Sequence, residues 1–235
     1  MTCANIVSNK RKRIKLCDRV LPSYTKGEEI FNMVTHIVGG GIGVITLILC
    51  VIIAAMKGNT AGIVTGALFG STMIALYTMS SIYHGLRAGM AKKVFQIIDH
   101  CTIYFLIAGT YTPIMVCGLT KTAPVNAWLT LSVVWILAAI ATTLTAIDLK
   151  KYKVFSNICY VGMGWAVIFS IKETYLCLGT VGFWLLLSGG LAYTLGVVFY
   201  GLGKRIKYFH SIFHIFVLLG SILQAVAILF FVLNR

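Results

Sequence analysis

The sequence predicts an all-α integral membrane protein, a bundle of seven transmembrane helices. Three observations carry this prediction: an apolar composition, seven long segments without a charged side chain, and an unequal distribution of basic residues between alternate loops. Of the 235 residues, 59% are hydrophobic and 11% are charged, and the mean hydropathy is +0.92. Soluble domains are about a quarter charged and disordered chains are poor in apolar residues, so the composition excludes both classes.

The charge-free segments each match the length of a membrane span. The shortest has 18 residues, and a spanning helix needs roughly 20. Because a backbone in lipid must satisfy its own hydrogen bonds, we expect each segment to be helical. The apolar residues do not alternate with polar ones, as they would in a β-barrel. The first segment is long and lacks a clear cleavage site, so it is interpreted as a helix rather than a signal peptide. The segments are 30–56, 58–86, 100–120, 122–147, 154–171, 174–203 and 208–234.

Basic residues give the orientation. Sixteen of the 20 lysines and arginines fall in residues 1–27 and in every second loop after them. The positive-inside rule therefore predicts a cytoplasmic N-terminus, an external C-terminus and a multi-pass protein of the cell membrane. We divide the chain into a basic cytoplasmic tail, 1–27, and a membrane domain, 28–235. The cluster 10–13 is expected to contact anionic lipid headgroups rather than nucleic acid, and the oligomeric state stays open.

All five histidines lie in or beside these segments, at the predicted cytoplasmic end. Ionisable groups inside a membrane are costly, so each one is a candidate functional group. His210 and His214 are four residues apart and share a helix face. With His84, they provide three imidazoles, which is the ligand number of a catalytic zinc site with an open position. The alternative is that these histidines only form hydrogen bonds between helices.

Two further polar residues are predicted at the same depth. Ser80 shares a helix face with His84, and Asp99 directly precedes the third segment. Asp99 could act as the general base for a water molecule at the metal, or it could orient a histidine. His100 is turned about 100° from Asp99 on a helix and is less suited as a ligand. His36 is compatible with a place around the ligands or with packing alone.

Four motifs, in order along the chain, resemble a known family. They are Glu29-x-x-Asn32-x-x-x-His36, Ser80-x-x-x-His84, Asp99 followed by Ala108-Gly109-Thr110-Tyr111-Thr112-Pro113, and His210-x-x-x-His214. With seven predicted helices, this pattern resembles the bacterial hemolysin III proteins within the progestin and adiponectin receptor (PAQR) family. The resemblance extends from about residue 28 to the C-terminus.

The resemblance implies a zinc ion held by His84, His210 and His214, with Glu29, Asn32 and His36 around them. It also implies that Asp99 lies near the water at the zinc and that Ser80 stabilises an oxyanion. Adiponectin receptors and, more distantly, alkaline ceramidases share the three histidines, the serine and the aspartate, so the expected activity is zinc-dependent hydrolysis of a lipid amide or ester in membrane lipid homeostasis.

Two other functions compete with hydrolysis. A sensor or regulator of the membrane state would use zinc only to join helices, and replacement of His84 would then reduce stability as much as activity. A pore-forming haemolysin is less well supported. An inserting toxin needs a soluble form and export, and seven apolar segments without a cleavable signal indicate neither.

Overall fold

The computed structural model describes residues 16–203 and 205–234. The basic cluster 10–13, predicted to contact lipid headgroups, lies outside the described residues. Every regular element of the described part is helical, which confirms the predicted all-α class. The helices are α1 (Lys26–Met56), α2 (Thr60–Gly85), α3 (Met90–Pro113), α4 (Pro124–Ile147), α5 (Lys153–Gly164), α6 (Ile171–Leu202) and α7 (Phe209–Ile228). Shorter π-helical or 3-10 segments follow α3, α5 and α7 at Ile114–Leu119, Ala166–Ser170 and Leu229–Leu233.

Among the described residues, six helical stretches are long and apolar enough to cross a membrane. Five of them correspond to predicted segments. The predicted segments 154–171 and 174–203 instead form one continuous stretch of 50 residues, Lys153–Leu202. Lys172 and Glu173 do not separate two helical stretches, because α6 begins at Ile171 and both residues lie in its first turn.

The 50-residue stretch is not straight. As a single rod it would be about 75 Å long, against an apolar bilayer core of about 30 Å. Gly179 interrupts α6 with φ 67° and ψ 176°, a conformation that glycine adopts without steric cost. Residues on opposite sides of this break meet: the Trp165 indole donates to the Thr194 hydroxyl at 3.0 Å. The stretch therefore folds back on itself at Gly179.

Glycines bring α1 and α2 into close contact. A Cβ on Gly39 would lie 2.5 Å from the Tyr77 ring, and one on Gly70 would lie 2.5 Å from the Leu47 Cα. Small residues allow such close approach of membrane helices, where van der Waals packing rather than the hydrophobic effect drives association. This packing holds the polar residues of α1 beside those of α2.

A buried hydroxyl cluster joins α2, α6 and α7. The Tyr77 hydroxyl donates to the Ser221 Oγ at 2.6 Å, and the Tyr193 hydroxyl lies 2.7 Å from the same atom. Tyr77 precedes His84 by seven residues and Ser221 follows His214 by seven. At 1.5 Å per residue, the cluster lies about 10 Å from the histidines. It therefore sets the register of α2 against α7.

We expect Gly70→Ala to destabilise the protein, because the new Cβ would collide with the backbone of Leu47. Overpacking of this kind costs about 1–3 kcal/mol. Gly41→Ala is the matched control, since a Cβ there meets nothing within 4 Å. Thermal unfolding in detergent should show a lower midpoint for Gly70→Ala only. Equal midpoints for the two variants would contradict the close α1–α2 packing.

Candidate metal centre

Three histidines from two helices form a buried cluster. His84 lies at the end of α2, and His210 and His214 lie in the first turns of α7. Their side chains can each offer one ligand atom, and these atoms lie within 4.8 Å of one another. Among the described residues, these three histidines are the one group of His, Cys, Asp or Glu side chains that could hold a metal ion. The three residues predicted as ligands are thus brought together.

The ring nitrogens show how this cluster is arranged. His84 Nδ1 lies 2.6 Å from Glu29 Oε2, so the opposite nitrogen, Nε2, faces the cluster. His210 Nε2 and His214 Nε2 are 3.2 Å apart. His84 Nε2 is buried and has no hydrogen-bond partner among the described residues. Because buried polar atoms are rarely left without a partner, three converging imidazole nitrogens fit a metal ion.

Glu29 connects the cluster to α1 and α3. One carboxylate oxygen contacts His84, and the other accepts a hydrogen bond from Lys92 Nζ at 2.7 Å. A carboxylate on the far nitrogen of a ligating histidine orients the ring and increases its basicity. Glu29, predicted to lie around the ligands, thus contacts one of the three. From the sequence, Lys92 is predicted only as a cation of a cytoplasmic loop. Its position in the first turn of a helix, where a positive charge is unfavourable, is the sequence feature that could have indicated a special role.

Asp99 and Ser80 line the same cavity as His210 and His214. A carboxylate and a hydroxyl therefore share one cavity with two of the three histidines predicted as ligands. This pair can accept a proton and donate a hydrogen bond within one cavity.

The other two histidines lie beside the cluster rather than in it. The His36 ring stacks on His214, with centroids 3.8 Å apart and an interplanar angle of 22°. His100 Nδ1 lies 2.8 Å from the Gln96 carbonyl and 3.8 Å from Asp99 Oδ2. Both His36 and Asn32 are buried, and their side-chain nitrogen and oxygen atoms lack hydrogen-bond partners in the described part of the chain. His36 thus packs against one of the predicted ligands, and Asn32 lies buried one turn before it on α1; neither belongs to the group that could hold a metal ion.

Tyr24 covers part of the cluster, which the sequence did not predict. Its ring stacks on His210, with centroids 4.7 Å apart and an interplanar angle of 19°. Burial, together with nearby Tyr200 and Glu29, raises the pKa of the Tyr24 phenol well above its usual value. Residues 1–27 were assigned to a tail, but Thr25-x-x-Glu28 is a capping box that begins α1 and brings Tyr24 to the site.

An apolar cavity of about 150 Å³ extends from the histidines. Its wall follows α3 and the π-helical segment after it from Asp99 to Met115, which is roughly 24 Å of helix. A cavity of this volume accepts a benzene-sized apolar group. Gly164 and Gly190 also line it, and a Cβ on either would meet nothing within 4 Å. A small side chain at either position would therefore have room beside the cavity.

We expect the purified wild-type protein to retain zinc, and His84→Ala and His210→Ala each to lose it. Removing one of three ligands leaves two imidazoles, too few for a stable site of this type. His100→Ala is the matched control, because it removes a buried histidine whose Nδ1 is directed at a backbone carbonyl. Elemental analysis measures the zinc content per chain. Equal zinc loss from all three variants would contradict the assigned ligand set.

The sequence matches a family model and several curated proteins. The family model described as haemolysin-III related matches residues 24–225. Hemolysin-3 of Bacillus cereus is 36% identical over 206 residues, covering 88% of this chain and 92% of that protein. The Hemolysin-3 homolog of Bacillus subtilis is 36% identical over 208 residues, covering 88% and 96%. No solved structure matches the chain.

A mammalian relative extends the similarity. The human monocyte to macrophage differentiation factor is 29% identical over 175 residues, covering 70% of this chain and 69% of that protein. This match supports the relation to the PAQR family that the four motifs predict. The apolar helices and the relatives together indicate a multi-pass membrane protein, and the plasma membrane is the usual location for this family. The chain belongs to the haemolysin-III-related family.

Proposed function

We propose that this protein is a zinc-dependent hydrolase of a membrane lipid amide or ester, acting in membrane lipid homeostasis. The observation that carries the proposal is the placement of three converging imidazoles, one carboxylate and one hydroxyl at the polar end of an apolar cavity. The polar end offers the groups that hydrolysis needs, and the apolar part suits an acyl chain. Neither a purely structural histidine cluster nor a pore needs Asp99 and Ser80 to line such a cavity.

His84, His210 and His214 would hold the zinc ion through their Nε2 atoms. Three imidazoles suit zinc, and soft thiolate ligands are not required. Zinc held by three protein ligands lowers the pKa of water towards neutrality and polarises a carbonyl group. Glu29 keeps the His84 ring turned with Nε2 towards the other two histidines.

The remaining steps belong to the side chains of the protein. Asp99 accepts a proton from the attacking water and returns it to the leaving amine or alcohol as the bond to the acyl carbon breaks. Ser80 donates a hydrogen bond to the oxygen that gains negative charge on the acyl group. The apolar wall along α3 binds the acyl chain and excludes bulk water.

We further propose seven membrane crossings, with the N-terminus cytoplasmic and the C-terminus outside. Two observations support this count and orientation. The 50-residue stretch folds back at Gly179, so it can cross twice. Basic residues also concentrate at the end of the bundle that carries the histidines, among them Arg87, Lys93 and Lys207. Anionic lipid headgroups at the cytoplasmic surface would contact these cations, at about 1 kcal/mol for each one near the surface.

A membrane-state regulator with structural zinc is the second candidate function. One observation favours it: a metal ion bound by the histidines would join α2 to α7, and Glu29 would add α1. In this case the protein would hold zinc but release no fatty acid from any lipid. The word haemolysin occurs in the names of the relatives and is no evidence for a pore in this protein. No feature of the described residues supports a pore.

We expect Asp99→Asn to retain zinc and to lose at least about a hundredfold in hydrolysis, the usual contribution of a general base. Zinc content and fatty-acid release from a panel of N-acyl and ester lipids would be measured on the same preparation. Asp18→Asn is the matched control because Asp18 is exposed. Wild-type protein with stoichiometric zinc that hydrolyses no lipid, together with an Asp99→Asn variant that still complements a deletion strain, would reject the hydrolase.

We expect single cysteines at positions 57, 121 and 172 to react with a membrane-impermeant maleimide on intact cells. Cysteines at positions 87, 151 and 205 should react only after permeabilisation, because the proposed orientation places them in the cytoplasm. The measurement uses a cysteine-free background. Reaction of position 172 only after permeabilisation would show that Lys153–Leu202 does not cross the membrane twice.

A further inference from the structure

Lys92 occupies an unusual position. Its side chain is 6% exposed, although lysine is almost never fully buried unless it is paired. It also lies in the first turn of α3, where the helix dipole opposes a positive charge. Both costs require compensation by specific partners.

The partners of Lys92 connect it to the metal centre. The ammonium donates to Glu29 Oε1 at 2.7 Å and to the Leu86 carbonyl at 3.0 Å, and it lies 5.2 Å from the centroid of the Tyr83 ring. Glu29 Oε2 in turn lies 2.6 Å from His84 Nδ1. Three helices thus contribute to one chain of contacts, from Lys92 on α3 through Glu29 on α1 to His84 on α2.

We propose that Lys92 is a positioning residue that sets the metal affinity of His84 through Glu29. This inference rests on the metal site of the proposed function. Glu29 is partly open to solvent, with 20% of its side chain exposed, so its carboxylate needs an anchor to keep facing the imidazole. Lys92 supplies that anchor and offsets the negative charge, leaving the second oxygen to orient the His84 ring.

A structural role for Lys92 makes a different prediction. The contact with the Leu86 carbonyl closes the end of α2, and loss of this contact would reduce stability without involving Glu29. Under the positioning role, the effect of removing Lys92 depends on whether Glu29 is present. A double-mutant cycle separates the two roles, because it isolates the coupling between a pair of residues.

The experiment measures zinc affinity by chelator competition on detergent-purified, folded protein. The variants are wild type, Lys92→Met, Glu29→Gln and the double variant. We expect Glu29→Gln and Lys92→Met each to weaken zinc binding by about 10–100-fold, the usual effect of losing a group that orients a ligand. In the Glu29→Gln background, Lys92→Met should add less than about threefold. Lys92→Arg keeps the charge and should restore most of the affinity.

Arg87→Met is the matched control, since Arg87 is an exposed cation in the same α2–α3 connection. Lys92→Met binding zinc as tightly as Arg87→Met, or losing equal affinity in both Glu29 backgrounds, would overturn the inference. If Lys92→Met does not fold, Lys92→Gln is compared with Lys92→Arg by the same criteria. A wild-type protein without zinc would reject the proposed function as well, whereas zinc binding with the expected cycle but no lipid hydrolysis would reject the hydrolase alone.

Discussion

Polar side chains buried at one end of the bundle must find their partners within the protein, because hydrocarbon offers none. This constraint shapes the whole site. Glu29 has a partner on each carboxylate oxygen, and the Tyr77 hydroxyl is satisfied by Ser221. Several buried atoms have no such partner among the described residues, among them His84 Nε2 and the side-chain nitrogen and oxygen atoms of His36 and Asn32. A metal ion shared with His210 and His214 would give His84 Nε2 a partner, so the proposed function meets the same requirement that organises the helices.

Close packing of the helices makes this arrangement possible. The glycines of α1 and α2 allow each helix to pack directly against the backbone of the other. This packing lets Glu29 contact His84 on α2 and His36 stack on His214 on α7. The hydroxyl cluster about two turns away holds α2 and α7 in register. The polar end is therefore supported from two directions, by small residues on one side and by buried hydrogen bonds on the other.

Most of the helices and the three histidines of the cluster could be predicted from the sequence, because apolar segments and histidine spacing are local patterns. The charge-free segments define the helices, and the four-residue interval of His210 and His214 places both rings on one face of α7. Other features depend on tertiary contacts that no local pattern encodes. The fold-back at Gly179 occurs within an apolar stretch whose charges at Lys172 and Glu173 suggested two separate segments.

The roles of residues near the ends of helices depend on tertiary contacts more than on any local pattern. Lys92 resembles any cytoplasmic loop cation until α1 brings Glu29 against it. Tyr24 belongs to a segment rich in basic residues, and only the capping box that begins α1 brings its ring against His210. The role of His36 has no signature in the periodicity of α1, because its stacking on His214 depends on how α1 packs against α7.

The most direct test of the account is X-ray absorption spectroscopy at the zinc edge of the purified wild-type protein. The account predicts three imidazole nitrogens at about 2.0–2.1 Å together with one oxygen ligand, as expected for a three-histidine site with an open position. Sulfur ligands at about 2.3 Å, or a protein that retains no zinc, would contradict it.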